Sequence, residues 1–492
     1  MSAKRPLRAA LIAVMAAAAI AAAPPAAPGE AATAAYFASI RNQPSLLLPF
    51  LREMPKGGDL HNHLSGAVYA ESFIAWTAAS GGCLVIETMA LVDGPCDARG
   101  RIPAATVIAT ALDGTYGRAV DAMSMRHWDP SLNGHDHFFA TFGKFGSASG
   151  KTGDMLAEVA RRAAGEHVSY LELMLTPSGS KTASLAAAET LACPDDPRAS
   201  CDPAFAALQE RLDKAGYRET VQGEARDLIA RSEAREASLL GCTASPHAPG
   251  CDVAIRYIAQ VARAGLLPRV FAQILAGFEE ASHIRQIVSL NLVQAEDDPN
   301  AIRDFDRQME MLAFLRKQPA YANVNITLHA GELIDGLVPP ESLRSHIRES
   351  VEKGGARRIG HGVDVMRENN PFALLREMAS KKVLVEIALT SNDGILGVKG
   401  PRHPLQTYLK YGVPVALVTD DAGVSRSSMT LEYLKGVEEQ GLDYRTLKRM
   451  ARNSLEYCFA DAPTKTRLRT ELDEAFRAFE RRTSNAERRT TP

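Results

Sequence analysis

The stretch Gly58-Asp-Leu-His-Asn-His63 has the pattern of a short buried strand that ends in two histidines. Side chains two residues apart on a strand point the same way, so His61 and His63 are expected to share one face. Two imidazoles on one face are half of a tetrahedral zinc site. Because His-x-His also occurs in strands by chance, its meaning depends on what the other strands add.

Seven further apolar runs follow, and most of the later gaps between them hold a helix-like pattern. Alternating helices and nearly unbroken apolar strands indicate a parallel sheet covered on both faces. Eight such units predict an α/β protein with a closed (β/α)₈ TIM barrel. The seven runs are Ser169–Leu175, Pro268–Ala276, Val288–Gln294, Val324–His329, Arg358–His361, Val383–Ala388 and Val413–Thr419. The helix-like gaps are Ala301–Arg316, Glu341–Lys353, Phe372–Lys381 and Pro404–Tyr411.

Two gaps are too long for one helix and are predicted to be insertions that decorate the barrel. They run from residue 64 to about 167, after strand one, and from 176 to about 267, after strand two. Six of the seven cysteines form close pairs in these gaps, which predicts local disulfides in an oxidising compartment. The pairs are Cys83 with Cys96, Cys193 with Cys201, and Cys242 with Cys251. Cys458 is left over and is predicted to be a buried thiol.

Ionisable residues stand at the ends of several predicted strands, where a barrel of this kind carries its catalytic groups. His329 ends strand five and Asp420 follows strand eight. Together with His61 and His63 they form a set of three nitrogens and one oxygen. Such a set leaves one position open for water, as a catalytic zinc site requires. We therefore expect one Zn²⁺ per chain.

Three more ionisable residues reach the same end of the barrel. A carboxyl in a partly dry pocket has a raised pKa, so Glu332 is a candidate proton donor. His361 is a candidate to accept a proton from the attacking water or to stabilise the hydroxide. Asp421 is a candidate to orient a polar substrate atom. The alternative for Glu332 and Asp421 is support of the metal ligands or helix capping.

These residues lie in four of five stretches that resemble the motifs of the adenosine deaminase family of metal-dependent hydrolases. The likeness is closest to its secreted branch, the adenosine deaminase-related growth factors and their bacterial relatives. The order and spacing follow the family from strand one to strand eight, so the resemblance covers about residues 54 to 460. The five stretches are Met54–Gly66, Leu328–Glu332, Arg358–Gly362, Thr390–Asn392 and Thr419–Asp421.

The resemblance implies a hydrolytic deamination of a 6-aminopurine nucleoside, with the four residues named above as zinc ligands. Glu332 would protonate the purine N1, His361 would activate or orient the attacking hydroxide, and Asp421 would hydrogen-bond N7. Attack at C6 then releases ammonia. The substrate-binding residues that the resemblance implies are His63, Ser65, Gln294, Gly331 and Asp421.

Three departures from the family concern the substrate. Ser65 stands where many members have an acidic residue that contacts the sugar 5′-hydroxyl. Gln294 stands where a glycine amide usually contacts purine N3, and Ala422 stands where proline is common. Adenosine, giving inosine and ammonia, is the expected substrate. Adenine, a 5′-modified adenosine or another amino-heterocycle is the alternative.

The N-terminus has the pattern of a targeting segment. Lys4, Arg5 and Arg8 precede an apolar run over residues 9–23, which predicts a signal peptide over residues 1–32, cleaved somewhere from residue 23 to 32. An uncleaved membrane anchor is the alternative. Both place the protein outside the cytoplasm, as a periplasmic or secreted protein. The deaminase barrel is predicted over 33–462, and 463–492 is predicted to be a charged tail, helical or disordered.

Composition narrows the class of protein and its partners. With 46% hydrophobic and 23% charged residues and a net charge of −2, the chain is globular, and nucleic acid is not suggested as a partner. We expect a small purine nucleoside and no stable membrane partner, and the resemblance leaves a homodimer open. A binuclear amidohydrolase is disfavoured, since Val288–Gln294 offers no bridging lysine or acid. The rival from another class is a secreted binding or signalling protein on a deaminase barrel. The complete set of ligands and acid–base groups argues against it.

Overall fold

The computed structural model describes residues 28–110, 114–129, 131–148, 150–194, 196 and 199–490. Residues 1–27 of the predicted signal peptide lie outside the described residues. Residues 28–32 form the start of the first helix.

The core is a closed barrel of eight parallel strands, which confirms the predicted (β/α)₈ architecture. Strands β1 and β5–β11 pair in chain order, and β2–β4 form a small separate sheet. Two backbone hydrogen bonds between Asp420 and β1, from Asp420 N to His61 O (2.8 Å) and from His63 N to Asp420 O (2.9 Å), close the barrel. The strands are β1 Gly57–His63, β2 Cys83–Val85, β3 Ala90–Val92, β4 Arg101–Pro103, β5 Val168–Leu175, β6 Ala254–Ala262, β7 Ile287–Val293, β8 Asn325–Ala330, β9 Arg358–His361, β10 Leu384–Ile387 and β11 Val415–Leu417.

Helices surround the barrel and build both insertions. They are α1 Pro28–Ile40, α2 Pro44–Glu53, α3 Leu64–Ala67, α4 Ala70–Ala79, α5 Ala104–Ala109, α6 Thr115–Ala122, α7 Gly134–Thr141, α8 Thr152–Gly165, α9 Ser180–Ala187, α10 Asp202–Lys214, α11 Tyr217–Leu240, α12 Leu267–His283, α13 Pro299–Arg316, α14 His346–Glu352, α15 Pro371–Lys381, α16 Leu389–Leu396, α17 Leu405–Tyr411, α18 Met429–Gln440, α19 Tyr444–Glu456 and α20 Ala462–Thr490.

The third strand was predicted in the wrong place. Pro268–Ala276 belongs to helix α12, and the third barrel strand is β6, Ala254–Ala262. Buried Val270, Ile274 and Phe278 recur at the four-residue spacing of a helix face. The second insertion therefore ends before β6. Glu341–Lys353 is also not one helix, because a short 3₁₀ turn at Pro340–Leu343 precedes α14.

The three predicted disulfides are confirmed and lie in the insertions. Cys83–Cys96 staples the small sheet, while Cys193–Cys201 and Cys242–Cys251 flank the helix pair α10 and α11. Cys458 is the free cysteine among the described residues, and it is buried. The insertions are thus cross-linked locally.

The C-terminal segment, for which the sequence leaves helix and disorder open, forms helix α20. Leu468, Leu472, Phe476 and Phe479 are buried, and α20 packs on α1 and α19. This apolar face makes the helix part of the packed structure. Within the described part of the chain, no helix is long and apolar enough to cross a membrane.

Candidate metal and catalytic site

Four side-chain atoms from β1, β8 and the loop after β11 meet at the mouth of the barrel. His61 Nε2 lies 3.0 Å from His329 Nε2 and 3.3 Å from Asp420 Oδ1. His63 Nε2 lies 3.2 Å from His329 Nε2 and 3.4 Å from Asp420 Oδ1. Atoms about 2.1 Å from one Zn²⁺ at tetrahedral angles are about 3.4 Å apart. These four distances are compatible with a single bound ion. Ligand atoms within 4.8 Å of one another also form two overlapping groups, His61 with His329, His361 and Asp420, and His63 with Asp420 and Asp421.

The other ring nitrogen of each of these histidines faces a side-chain oxygen. An acceptor at Nδ1 fixes the proton there and leaves the lone pair on Nε2. Three lone pairs and a carboxylate aimed at one point repel one another unless a cation lies between them. The contacts are His61 Nδ1 with Glu386 Oε2 (2.7 Å), His63 Nδ1 with Gln260 Oε1 (2.7 Å) and His329 Nδ1 with Asn291 Oδ1 (3.0 Å).

The carboxylates around the ligands are themselves held. Glu386 Oε1 accepts hydrogen bonds from Arg358 Nε (2.5 Å) and Thr327 Oγ1 (3.0 Å) inside the barrel. Asp420 Oδ2 accepts one from Ser391 Oγ at 2.7 Å. Asp420 Oδ1 has no hydrogen-bond partner among the described residues, although it is buried. That oxygen is the one that points at the histidine nitrogens and is free to bind a metal.

Glu332 lies in the turn after β8, and a second carboxylate holds this turn. Glu296 accepts hydrogen bonds from Gly331 N (3.1 Å) and Glu332 N (2.8 Å). The Oε1 atom of Glu332 is buried and finds no hydrogen-bond partner in the described ranges. Burial, and then the nearby Asp420 charge, raises the pKa of Glu332 well above its ordinary value. Burial therefore favours the neutral, protonated form of this carboxyl.

Asp421 and His361 complete the acid–base groups. Burial, followed by the adjacent Asp420, raises the pKa of Asp421 well above its ordinary value. A Cβ at Gly66 would lie 1.6 Å from Asp421 Oδ1, so only glycine leaves room for this side chain. Burial lowers the pKa of His361 to about 4, which keeps the ring neutral. His361 Nδ1 lies 3.0 Å from Asn392 Nδ2.

Several residues at the strand ends have left-handed backbone conformations. The φ angles are 60° at Asp420, 67° at His361 and 80° at Gln294. Residues other than glycine rarely adopt this region, and such strain concentrates at functional sites. The positive φ at Gln294 is a backbone conformation that glycine adopts without strain.

A cavity of about 450 Å³ opens onto the predicted metal ligands and is lined by His63, Glu332 and Asp421. Ser65 and Gln294 also line it, as the resemblance implied, and the Gln294 side chain accepts a hydrogen bond from Ala264 N. Gly331 does not line the cavity. Its N–H donates a hydrogen bond to Glu296, and its carbonyl accepts hydrogen bonds from the Val363 and Asp364 amides. The structure thus brings the predicted residues together, except that Gly331 is not part of the cavity lining.

Two groups of site residues were not predicted from the sequence: three phenylalanines, and two acceptors of hydrogen bonds from the histidines. Phe138, Phe139 and Phe142 of the first insertion form an apolar wall of the cavity. Gln260 lies on β6, and the sequence prediction placed the third strand at Pro268–Ala276 instead. A signal existed for Glu386, since an acid within an otherwise apolar predicted strand needs a reason.

Comparison with known proteins agrees with this geometry. A family model described as adenosine deaminase matches residues 147–475. Adenosine deaminase of Escherichia coli (strain SE11) is 32% identical over 212 residues, covering 42% of this chain and 58% of that protein. The chain therefore spans little more than half the length of the curated relatives it matches.

Two solved structures share the fold. The N6-mAMP deaminase of Arabidopsis has a TM-score of 0.53 at 17% identity, covering 87% of this chain and 99% of that one. A zinc-bound amidohydrolase of Burkholderia ambifaria has a TM-score of 0.53 at 16% identity, covering 89% and 94%. Fold and site together define a (β/α)₈ barrel with a histidine–aspartate metal site at its mouth. Because the family model matches well over half of the sequence, the chain belongs to the adenosine deaminase family.

Proposed function

We propose that this protein is a zinc-dependent hydrolase that deaminates adenosine to inosine and ammonia. The observation that carries the proposal is the placement of the buried Glu332 carboxyl, whose pKa burial raises, beside the convergent His–Asp cluster in one cavity. His61, His63, His329 and Asp420 would hold the metal. A bound Zn²⁺ supplies a nucleophile from water at neutral pH.

The protonated carboxyls activate and orient the purine. Glu332 gives its proton to ring nitrogen N1, which makes C6 more electrophilic. Burial also raises the pKa of Asp421 and so favours its protonated form, which donates a hydrogen bond to N7, an atom that has only a lone pair to offer. An oxygen from water bonds to C6 and the C6–N6 bond breaks. One proton of the water leaves with N6 as ammonia, and the other returns to the Glu332 carboxylate. These proton positions require both carboxyls to be buried, as they are.

The cavity lining supports a nucleoside as the substrate. Its volume of about 450 Å³ suits a small ligand. Phe139 and Phe142 offer apolar faces for a base or sugar, and Ser65 offers a hydroxyl. Among the described residues that line the cavity, none is a lysine or arginine, while Asp298 adds a carboxylate. A 5′-phosphate would find no cationic partner there, which disfavours nucleotides.

The test is a substrate panel with the zinc-loaded protein. We expect kcat/KM to be highest for adenosine and at least about 100-fold lower for AMP, since the missing charge partner is worth a few kcal/mol. Adenine and 5′-substituted adenosines complete the panel. A preference for AMP or for free adenine would contradict the proposal. No turnover of any aminopurine by zinc-loaded protein would favour the binding or signalling role instead.

We also propose that the protein works in the periplasm or outside the cell. The basic and apolar pattern of residues 4–23 and the three disulfides support this. Fractionation of cells that express the full chain should recover it outside the cytoplasm with the N-terminal segment removed. Recovery in the cytoplasm at full length would contradict this proposal.

A further inference from the structure

A further buried histidine, His403, lies behind the site, just before helix α17. Its Nδ1 accepts a hydrogen bond from the backbone N–H of Leu405 at 3.2 Å. A backbone amide can only donate, so Nδ1 carries no proton. The neutral ring of His403 therefore has its hydrogen on Nε2.

That hydrogen orients Asn392. His403 Nε2 lies 3.1 Å from Asn392 Oδ1, and the N–H donates to this oxygen. The amide nitrogen of Asn392 consequently faces away from His403, toward His361 Nδ1 at 3.0 Å. Because an amide NH₂ is a donor, His361 Nδ1 must be the acceptor. A neutral His361 then carries its hydrogen on Nε2.

This tautomer is opposite to that of the three predicted metal ligands. His61, His63 and His329 face acceptors at Nδ1 and keep the lone pair on Nε2. His361 Nε2 is buried and has no hydrogen-bond partner among the described residues, with Asp420 Oδ2 3.9 Å away. Glu332 Oε1 lies 3.5 Å from His361 Nδ1, farther than the Asn392 amide. The unsatisfied N–H therefore points into the site.

We propose that His403 is a positioning residue that acts through Asn392 to hold His361 in the Nε2–H tautomer. His361 then donates a hydrogen bond to the oxygen that attacks C6, and does not take a proton from it at Nε2. The identity of that oxygen rests on the proposed deamination, whereas the tautomer rests on the hydrogen-bond chain alone. One main-chain N–H, that of Leu405, sets the direction of every hydrogen bond from His403 through Asn392 to His361.

The direct test is ¹H–¹⁵N NMR of zinc-loaded protein labelled with ¹⁵N-histidine, with the His361 signals assigned by their loss in His361→Gln. We expect His361 protonated at Nε2 and bare at Nδ1. A proton on Nδ1 of His361 would overturn the proposal. If the tautomer is as expected and no aminopurine is turned over, the proposed function fails and this inference stands.

Two variants test the role of His403. His403→Leu removes the donor to Asn392, so kcat should fall by about 10- to 100-fold while KM and zinc content stay near those of the parent protein. His403→Gln offers an amide N–H in place of Nε2–H and should recover most of the lost kcat and the Nε2–H signal of His361. An unchanged tautomer and kcat in a folded His403→Leu protein would contradict the proposal. Should His403→Leu fail to fold, His403→Gln with a His361 signal at Nδ1 would contradict it equally.

Discussion

At the scale of single residues, the metal site depends on which ring nitrogen of each histidine carries the proton. Three different acceptors, Glu386, Gln260 and Asn291, hold the Nδ1 atoms of the ligand histidines. Each contact orients the ring so that its Nε2 faces the same point. The geometry is thus preorganised for a cation, and loss of an acceptor should weaken metal binding.

Gln260→Met is predicted to lower zinc affinity by about 10- to 100-fold, because His63 loses the acceptor that fixes its tautomer. Competition with a chelator of known affinity measures the change. Gln273→Met is the matched control. Gln273 lies on α12 and accepts a hydrogen bond from the backbone N–H of Ala262, which is on β6 like Gln260, and no hydrogen bond joins it to a predicted ligand. Equal zinc affinity in the two variants would contradict the role given to Gln260.

Glu332→Gln is predicted to keep zinc and lose at least about 100-fold in kcat, because an amide cannot deliver the proton that the buried carboxyl carries. Steady-state rates and the metal content of the same preparation test this. The parent activity should also decline as the pH rises through the raised pKa of Glu332, since only the protonated form donates. A variant within a few-fold of the parent rate would show that another group supplies the proton.

At the scale of elements, the barrel supplies the chemistry and the first insertion supplies a wall of the cavity. Helix α7 carries Phe138 and Phe139 to the cavity and packs on α16. His135 of this helix places its Nε2 atom 2.9 Å from Asp297 Oδ1 in the loop after β7. This contact connects the insertion to the barrel. The insertion therefore belongs to the substrate pocket, and its side chains should affect binding more than chemistry.

Phe139→Ala is predicted to raise KM for adenosine by about tenfold with little change in kcat, because it removes apolar contact area from the bound substrate. Phe372→Ala is the control, an exposed phenylalanine on α15 that does not line the cavity. A large drop in kcat without a change in KM would mean that the wall acts on the chemistry.

The elements also show what the sequence could and could not predict. Ionisable residues such as His329 and Asp420 stand out at the ends of apolar strands, because burying them unpaired is costly. Strand β6 was not predicted, because Arg256 and Gln260 interrupt its apolar run. The apolar face of α12 resembled a strand instead. The phenylalanines of α7 escaped because an apolar side chain gives no local sign of whether it fills a core or lines a cavity.

At the scale of the whole molecule, the disulfides lie in the insertions and the predicted metal ligands lie in the barrel. The cysteine pairs are 13, 8 and 9 residues apart. Such short loops were predictable from spacing alone, unlike the long-range contact of α20 with α1. Cross-linking restricts the unfolded insertions, so reduction should destabilise the protein.

Reduction of all three disulfides is predicted to lower Tm by roughly 5 °C or more, since each short loop contributes about 2 to 3 kcal/mol. Calorimetry of the purified, zinc-loaded protein with and without reductant measures the shift. Thiol labelling followed by mass spectrometry gives the control. Seven free thiols in the unreduced protein would contradict the bridged state.

The most direct test of the central claim is the ultraviolet absorbance of adenosine incubated with the purified protein, before and after removal of metal by a chelator. We predict conversion to inosine that stops when the metal is removed and returns when Zn²⁺ is added back. Conversion that persists in fully metal-free protein, or none with Zn²⁺ bound at one ion per chain, would contradict the account.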